Sequence, residues 1–300
     1  MYLILLFTLA IIFGNSCDSP AQSTLEKIKS LELNETDGDI PAYYTEGFEE
    51  RAKETLDFLR YSKEYFEENF QVSQFFSLAV LDSASWIKIT RIPYGLPFVS
   101  GPPYVVCIPA STDNVLARIV SGGLTDHDFS SSYSMTRDEI VNRFISLIGF
   151  HELGHIYANE YGMSFPNKWT YEFAATYFAF SYMEDRQPEM SRLWLDVSEA
   201  LLEEIEPEHR SLSDFEELYV RVGVEDYAWY QMVFLQRVKE VYDRKGNEFT
   251  IQYKSHSWPT ESENHYLGEM KEIVPGFLDW ASNMGLLLAF KSVLYEESRK

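Results

Sequence analysis

Residues 136–160 read TRDEIVNRFISLIGFHELGHIYANE, a stretch that predicts one long helix with two histidines on its buried face. Thr136 and Glu139 form a capping box, in which the Thr hydroxyl and the Glu carboxylate satisfy backbone N–H groups at a helix start. Beyond the cap, inward-facing positions recur at spacings of three and four, at Ile140, Phe144, Ile148, His151 and His155. Both imidazoles therefore face the interior, one helical turn apart.

The order His151, Glu152, x, x, His155 indicates a metal site on this helix. Two imidazoles one turn apart can bind a single zinc ion, and the intervening Glu152 can take a proton from water in the same cavity. Two core histidines without a metal are the alternative. Buried imidazoles without partners would carry a desolvation cost, so the pattern favours zinc with Glu152 as general base.

A zinc site needs a third protein ligand, and the sequence after His155 indicates Glu172. A third histidine six positions beyond His155 is typical of metzincins, but Tyr161 stands there. Glu160 is a competitor, although its place on the same helix, five residues past His155, gives poor geometry for reaching the same ion. Glu172 lies 17 positions beyond His155 and is the preferred ligand.

The residues around Glu172 predict a second helix that packs closely on the first. Pro166 and Asn167 are helix-entry signals, and Glu172 falls in the first turns of the helix that follows them. Ala175 and Ala179 share a face with Glu172, and their small side chains allow two helices to approach closely. This packing would bring the Glu172 carboxylate to the two histidines.

The motif and its surroundings resemble the gluzincins, the thermolysin-like zinc metallopeptidases, and especially their small single-domain members. The resemblance lies in HELGH (151–155) and YEFAA (171–175), and in the predicted order of helix, small sheet, active-site helix, glutamate helix and helical C-terminal half. It implies one Zn²⁺ bound by the two histidines and Glu172. It also implies hydrolysis of peptide bonds, in which zinc polarises the scissile carbonyl and Glu152 activates water.

The resemblance further implies an edge strand that pairs with an extended substrate, and a Tyr or His that stabilises the developing oxyanion. YVVCIPAS (104–111) is the candidate strand, with an ordinary core strand as the alternative. Tyr227 is the preferred oxyanion donor, and core packing is the ordinary alternative for a tyrosine. The other possible donors are Tyr230, His256 and His265.

The chain as a whole predicts an α+β fold that is predominantly helical, with a small N-terminal mixed sheet packed on the active-site helix pair and a helical C-terminal half. β-prone runs bounded by Pro, Gly and Ser occur at 75–86 and 103–111. A helix with one apolar face is predicted at 47–70. The later helices are predicted near 136–161, 167–184, 189–205, 212–221, 224–244 and 264–298, the last broken at Pro275.

The first residues, MYLILLFTLAIIFGNSC (1–17), resemble the signal of a bacterial lipoprotein. Their apolar run is too short to span a bilayer but fits the hydrophobic region of a secretory signal. Cys17 would then carry a lipid that anchors the exported chain in the cell envelope, on the periplasmic side or the cell surface. An ordinary signal peptide with an incidental cysteine is the alternative. The predicted organisation is a signal peptide at 1–16, a tether at 17–40 with at most a short helix around Leu25 to Leu33, and one metallopeptidase domain at 41–300.

Composition and charge indicate which classes of partner the protein can bind. The 300 residues carry a formal net charge of −22 and no cluster of Lys and Arg, which argues against nucleic-acid binding. A peptide or protein substrate is the expected partner. Two other functions remain open, namely a non-catalytic surface binding protein that keeps the metallopeptidase fold, and an amide hydrolase that acts on a non-peptide substrate.

Overall fold

The structure is a computed structural model that describes residues 22–127, 129–255 and 269–284, and its fold is α+β, as predicted. The strands are β1 Asn34–Thr36, β2 Ala42–Tyr44, β3 Phe76–Leu81, β4 Phe98–Ser100 and β5 Tyr104–Pro109. The helices are α1 Thr24–Lys29, α2 Glu49–Leu59, α3 Ser62–Phe70, α4 Ser83–Ile89, α5 Val115–Gly123, α6 Ser130–Tyr133, α7 Arg137–Glu160, α8 Lys168–Arg186, α9 Pro188–Glu204, α10 Leu212–Leu218, α11 Val224–Lys245, α12 Glu248–Ser255, α13 269–273 and α14 Phe277–Asn283. A 3₁₀ turn, Tyr219–Arg221, follows α10.

Two groups of sequence predictions fall outside the described residues. They are the signal peptide at 1–16 with Cys17, and the possible oxyanion donors His256 and His265. Within the part of the chain that the structure describes, no helix combines the length and the apolar composition needed to cross a membrane.

The described strands form one mixed sheet in the order β1–β2–β3–β5–β4. β2, β3 and β5 run parallel to one another, whereas β1 and β4 are antiparallel to their neighbours. Parallel strands of this kind are apolar along their length because both faces of the sheet are covered. All six residues of β3 are accordingly buried.

Two apolar clusters cover the opposite faces of the sheet, and the side chains of β3 alternate between them. Leu78 belongs to the larger cluster, which contains the helical core of the molecule. Ala79 belongs to the smaller cluster, together with Trp86 of α4 and Ile28 of α1. The sheet is therefore held between α1 and α4 on one side and the helices that carry the candidate site on the other.

The N-terminal part of the described chain differs from the predicted tether at 17–40. Ile28 is 0% exposed in the smaller cluster, and β1 pairs with β2 from Asn34 to Thr36. The polar sequence NETDGD (34–39) has no strand periodicity of its own, so its pairing depends on the edge that β2 provides. Residues from about 23 onward thus belong to the folded body.

Several element boundaries differ from those that periodicity predicts, and local capping explains one of them. The predicted helix at 47–70 is divided into α2 and α3, and the β-prone run at 75–86 ends in helix α4. The Asp82 side chain caps α4 by accepting a hydrogen bond from the Ser85 N–H. Helices α5 and α12 were not predicted. The predicted break at Pro275 is confirmed, because α13 and α14 lie on either side of it.

Helices α7 and α8 pack against each other at a very short separation. A Cβ atom added at Gly154 of α7 would lie 2.0 Å from the carbonyl oxygen of Ala175 in α8. The close approach predicted from Ala175 is therefore confirmed, and Gly154 is its partner on the other helix. The capping box of Thr136 and Glu139 at the start of α7 is present as predicted. The contact fixes the two helices that carry the candidate ligands.

Candidate metal centre

Helices α7 and α8 bring His151, His155 and Glu172 into one buried cluster. The three residues are 6%, 6% and 1% exposed, and one ligand atom from each lies within 4.8 Å of the others. The Nε2 atom of His151 lies 3.0 Å from Glu172 Oε2, and that of His155 lies 3.6 Å from the same oxygen. This group is able to bind a metal ion.

The hydrogen bonds of Thr176 assign the tautomer of His151. The Thr176 hydroxyl donates its only hydrogen to the Glu172 main-chain carbonyl at 3.0 Å, so it can only accept from His151 Nδ1, also at 3.0 Å. In a neutral ring, the Nε2 atom of His151 then carries a lone pair that faces a carboxylate oxygen. Two acceptors at this distance require a proton or a cation between them.

The spacing of the ligand atoms also fits a metal ion. Two ligand atoms at 2.0–2.1 Å from a tetrahedral ion lie roughly 3.3 Å apart, and the two distances to Glu172 Oε2, 3.0 and 3.6 Å, lie on either side of this value. Burial acts to raise the pKa of Glu172, but the imidazoles of His155 and His151, when protonated, outweigh it and hold that pKa well below its usual value, and a cation in place of those protons would act in the same direction. The carboxylate is therefore ionised and suited to a cation.

His155 is held mainly by packing. The Tyr171 ring lies against its imidazole with a centroid separation of 4.2 Å and an interplanar angle of 31°. His155 Nδ1 is buried and has no hydrogen-bond partner among the residues that the structure describes. Its orientation thus depends on the ring contact with Tyr171 rather than on an acceptor of the kind that Thr176 provides for His151.

Glu152 lies beside the cluster and points toward the sheet. Its side chain is partly exposed, and Oε2 accepts a hydrogen bond of 3.2 Å from the Val99 N–H of β4. Desolvation raises the pKa of Glu152 to about 7, with the Glu172 charge adding to this effect while His151 and the Val99 N–H oppose it. A carboxyl group with a pKa near neutrality can both accept and release a proton at physiological pH.

The strand nearest to Glu152 is β4, and this corrects the prediction for residues 104–111. β5 (Tyr104–Pro109) lies between β3 and β4, so it is an interior strand, and β4 forms the edge among the described strands. Alternate residues of an antiparallel strand direct their main-chain groups toward or away from the neighbouring strand. Because the Val99 N–H donates to Glu152, the main-chain groups of Val99 point away from β5, toward the open side of the sheet.

The candidate oxyanion donors separate into two groups. Tyr227 lies near Glu172, Glu152 and Tyr219, and burial together with these neighbours raises its pKa well above the usual value. Tyr230 instead donates its hydroxyl to the Ser211 carbonyl at 2.6 Å and is fully buried. Tyr230 is therefore a core residue, and Tyr227 remains the tyrosine of the predicted pair that lies at the cluster.

Glu160, the competing ligand, is not part of the cluster. It is exposed at the end of α7 and accepts a hydrogen bond of 2.8 Å from the Tyr104 hydroxyl.

Three residues at the cluster were not predicted from the sequence. Tyr219 donates its hydroxyl to Glu172 Oε1 at 2.6 Å, and Gln231 donates its side-chain N–H to Glu172 Oε2 at 2.8 Å. Thr176 lies four residues after Glu172 on the same helix face, a spacing that could have found it. Gln231 follows Tyr227 at the same spacing, whereas no sequence signal marks Tyr219.

The fold and the cluster define an α+β protein with a buried His–His–Glu group that is able to bind a metal ion. No protein-family model matches the chain, and no curated protein and no solved structure shows a significant match to it. The identity of the metal and the reaction therefore rest on the residues of the site.

Proposed function

We propose that the protein is a zinc-dependent hydrolase of peptide bonds. The observation that carries this proposal is the convergence of His151 Nε2 and His155 Nε2 on one oxygen of Glu172, with Glu152 next to them. Two histidines and one carboxylate are a ligand set of catalytic zinc sites, which keep a position open for water or substrate. When bound, the ion supplies Lewis acidity that polarises a carbonyl group and lowers the pKa of water.

Glu152 is the proposed general base. The oxygen of the attacking water bonds to the carbonyl carbon while Glu152 takes one proton from that water. Glu152 then delivers this proton to the amine nitrogen as the C–N bond breaks, which leaves a carboxylic acid and an amine. The remaining proton of the acid passes to the amine, so the products leave as a carboxylate and an ammonium group.

Tyr227 is the proposed donor to the oxygen of the scissile carbonyl. Burial and the adjacent Glu172 carboxylate keep its hydroxyl protonated, because they raise its pKa well above the usual value. A protonated hydroxyl next to the cluster can donate a hydrogen bond to an oxygen that gains negative charge during the reaction. Tyr219 and Tyr227 both interact with Glu172, and Tyr227 is preferred because it is the tyrosine of helix α11 that the sequence singles out.

The position of β4 supports an extended peptide as the substrate class. The Val99 N–H donates to Glu152, and the Val99 carbonyl points to the same side of β4, away from β5, where no described strand pairs with it. A peptide that adds to this edge would form main-chain hydrogen bonds with β4 and would pass the carboxylate that activates water. This arrangement favours a peptide over a small non-peptide amide, which offers no extended main chain.

The test compares the wild type with Glu152→Gln for zinc content per chain and for cleavage of an unfolded protein substrate. Gln keeps the shape and hydrogen-bonding reach of Glu but cannot take a proton, so zinc content should stay near wild type while hydrolysis falls by roughly 10²–10⁴-fold. Glu160→Gln is the matched control, because it makes the same chemical change on the same helix, at a residue bonded to Tyr104. It should leave both quantities unchanged.

Three outcomes would contradict the proposal in different ways. Loss of zinc in Glu152→Gln would make Glu152 a structural part of the metal site. An undiminished rate in the same variant would place the chemistry elsewhere. Zinc binding by a wild type that cleaves no peptide would favour the amide hydrolase, if a non-peptide amide is cleaved, or the non-catalytic binding protein, if none is.

A further inference from the structure

The two oxygens of Glu172 have different surroundings. Oε1 accepts a hydrogen bond of 2.6 Å from the Tyr219 hydroxyl. Oε2 accepts one of 2.8 Å from the Gln231 side chain and is also the oxygen that both histidine Nε2 atoms approach. The carboxylate is thus fixed at both ends by donors from outside the helix pair that carries the ligands.

Tyr219 is held in this position by an unusual backbone conformation. Its φ of 41° and ψ of −105° lie in a region that side-chain-bearing residues rarely adopt, and such conformations cluster at functional sites. Its ring lies 5.6 Å from the ammonium group of Lys168, which also hydrogen-bonds Glu216 in the preceding helix α10. The turn is therefore attached to the start of α8, four residues before Glu172.

We infer that Tyr219 and Gln231 are positioning residues that make Glu172 bind the metal through Oε2 alone. This inference rests on the proposed metal site. A carboxylate oxygen has two lone pairs, and the Gln231 N–H takes one of those on Oε2, which leaves one directed at the histidines. The Tyr219 hydroxyl donates to Oε1 at 2.6 Å, so an ion that turned Oε1 toward itself as a second ligand atom would have to strain or break this hydrogen bond.

If Tyr219 positions Glu172, its loss should change both the affinity and the coordination of the bound ion. If its hydrogen bond only stabilises a buried carboxylate, neither property should change. Loss of the Tyr219 hydroxyl would free Oε1, so the carboxylate could bind through both oxygens and add one ligand atom. Partners that orient metal ligands typically contribute 10–100-fold to metal affinity. A purely structural hydrogen bond would change the free energy of unfolding and leave both the affinity and the coordination of the ion unchanged.

The experiment uses Co²⁺ as a probe, because its visible absorption is stronger in four-coordinate than in five-coordinate sites. Affinity is measured by competition with a chelator, and the spectrum is recorded at saturation, for the wild type and Tyr219→Phe. We expect a 10–100-fold weaker affinity and a less intense visible band in Tyr219→Phe. Tyr230→Phe is the matched control, because it removes a buried hydroxyl that bonds to the Ser211 carbonyl, and it should match the wild type in both measurements.

Gln231→Met provides an independent arm if Tyr219→Phe fails to fold, since it removes the donor to Oε2 at similar side-chain size. It should also weaken Co²⁺ binding by 10–100-fold. Wild-type affinity and an unchanged spectrum in the folded Tyr219 or Gln231 variant would overturn this inference while leaving the proposed function intact. Failure of the wild type to bind either Co²⁺ or Zn²⁺ would instead overturn the proposed metal site, and this inference with it.

Discussion

At the scale of single residues, Thr176 determines which nitrogen of His151 is available to a metal. Its hydroxyl donates to the Glu172 carbonyl and accepts from His151 Nδ1, so the imidazole presents Nε2 as a lone pair. Thr176 lies one helical turn after Glu172 on α8, and it thus sets the tautomer of His151 on α7. The effect needs no charge on Thr176, only the direction of two hydrogen bonds.

Thr176→Val should therefore weaken metal binding without a large change of shape. Val lacks the acceptor for His151 Nδ1–H, so the proton is free to move to Nε2, where it competes with the metal. We expect 10–100-fold weaker zinc affinity, measured by competition with a chelator. Ser181→Ala is the matched control, because Ser181 is a buried hydroxyl residue of α8 that bonds to the Phe178 carbonyl. Equal affinities for the two variants would contradict the assigned tautomer.

The sequence allowed the ligands to be predicted because their arrangement is local. His151 and His155 share a face through helical periodicity, and Glu172 follows in the next helix. Tyr219 could not be predicted, since its contact with Glu172 spans 47 positions. The contact also depends on a backbone conformation that no residue pattern predicts. Tertiary packing, not local propensity, brings that hydroxyl to the carboxylate.

At the scale of elements, the site depends on how closely α7 and α8 approach. Gly154 lies between the two histidines in the sequence, and the Ala175 carbonyl occupies the space where a Cβ would be. Any larger residue at Gly154 must push the helices apart or distort one of them, because backbone atoms cannot move aside as a flexible side chain can.

Gly154→Ala should destabilise the fold and weaken metal binding together. Overpacking of this kind typically costs about 1–3 kcal/mol of unfolding free energy, which urea denaturation can measure. Gly122→Ala is the matched control, because no atom lies within 4 Å of the added Cβ in helix α5, and it should be neutral or stabilising by about 0.4–1 kcal/mol. If the two alanine variants were equally stable, the close contact would not constrain the helix pair.

The long helices and the two six-residue strands were predictable, whereas the three-residue strands were not. α9 and α11 carry enough turns for one apolar face to be visible in the sequence, and the start of α7 is marked by its capping box. β4 contains only three residues, and its place at the edge follows from pairing with β5 rather than from its own composition. Misplacing the edge at 104–111 was the result, because an apolar run cannot distinguish an interior strand from an edge strand.

At the scale of the whole molecule, the proposed metal site would couple metal binding to folding. Without a cation, buried acceptor atoms from α7 and α8 face one another, and a bound ion would relieve this contact. The α+β class was predictable because helices dominate the chain after residue 136 and β-prone runs precede it. The order of strands in the sheet was not, since no local signal specifies which strands pair.

Removal of metal should lower the thermal stability of the wild-type protein. A ligand present at 100 times its Kd stabilises the folded state by about 2.7 kcal/mol, which corresponds to roughly 4 °C in Tm for a chain of this size. Differential scanning fluorimetry with zinc and with a chelator measures this difference. His155→Ala should lose stoichiometric zinc binding and show the same Tm in both conditions. A wild-type Tm that does not respond to zinc or chelator would contradict the coupling.

The helix pair has a consequence for the order in which the residues of the candidate site are made during synthesis. His151 and Glu172 are only 21 positions apart, so the complete set of ligands emerges from the ribosome as one helical hairpin. The groups that orient Glu172 follow 47 and 59 positions after it, at Tyr219 and Gln231. A nascent chain that ends after α8 would therefore hold every proposed metal ligand before the proposed positioning residues Tyr219 and Gln231 have been made.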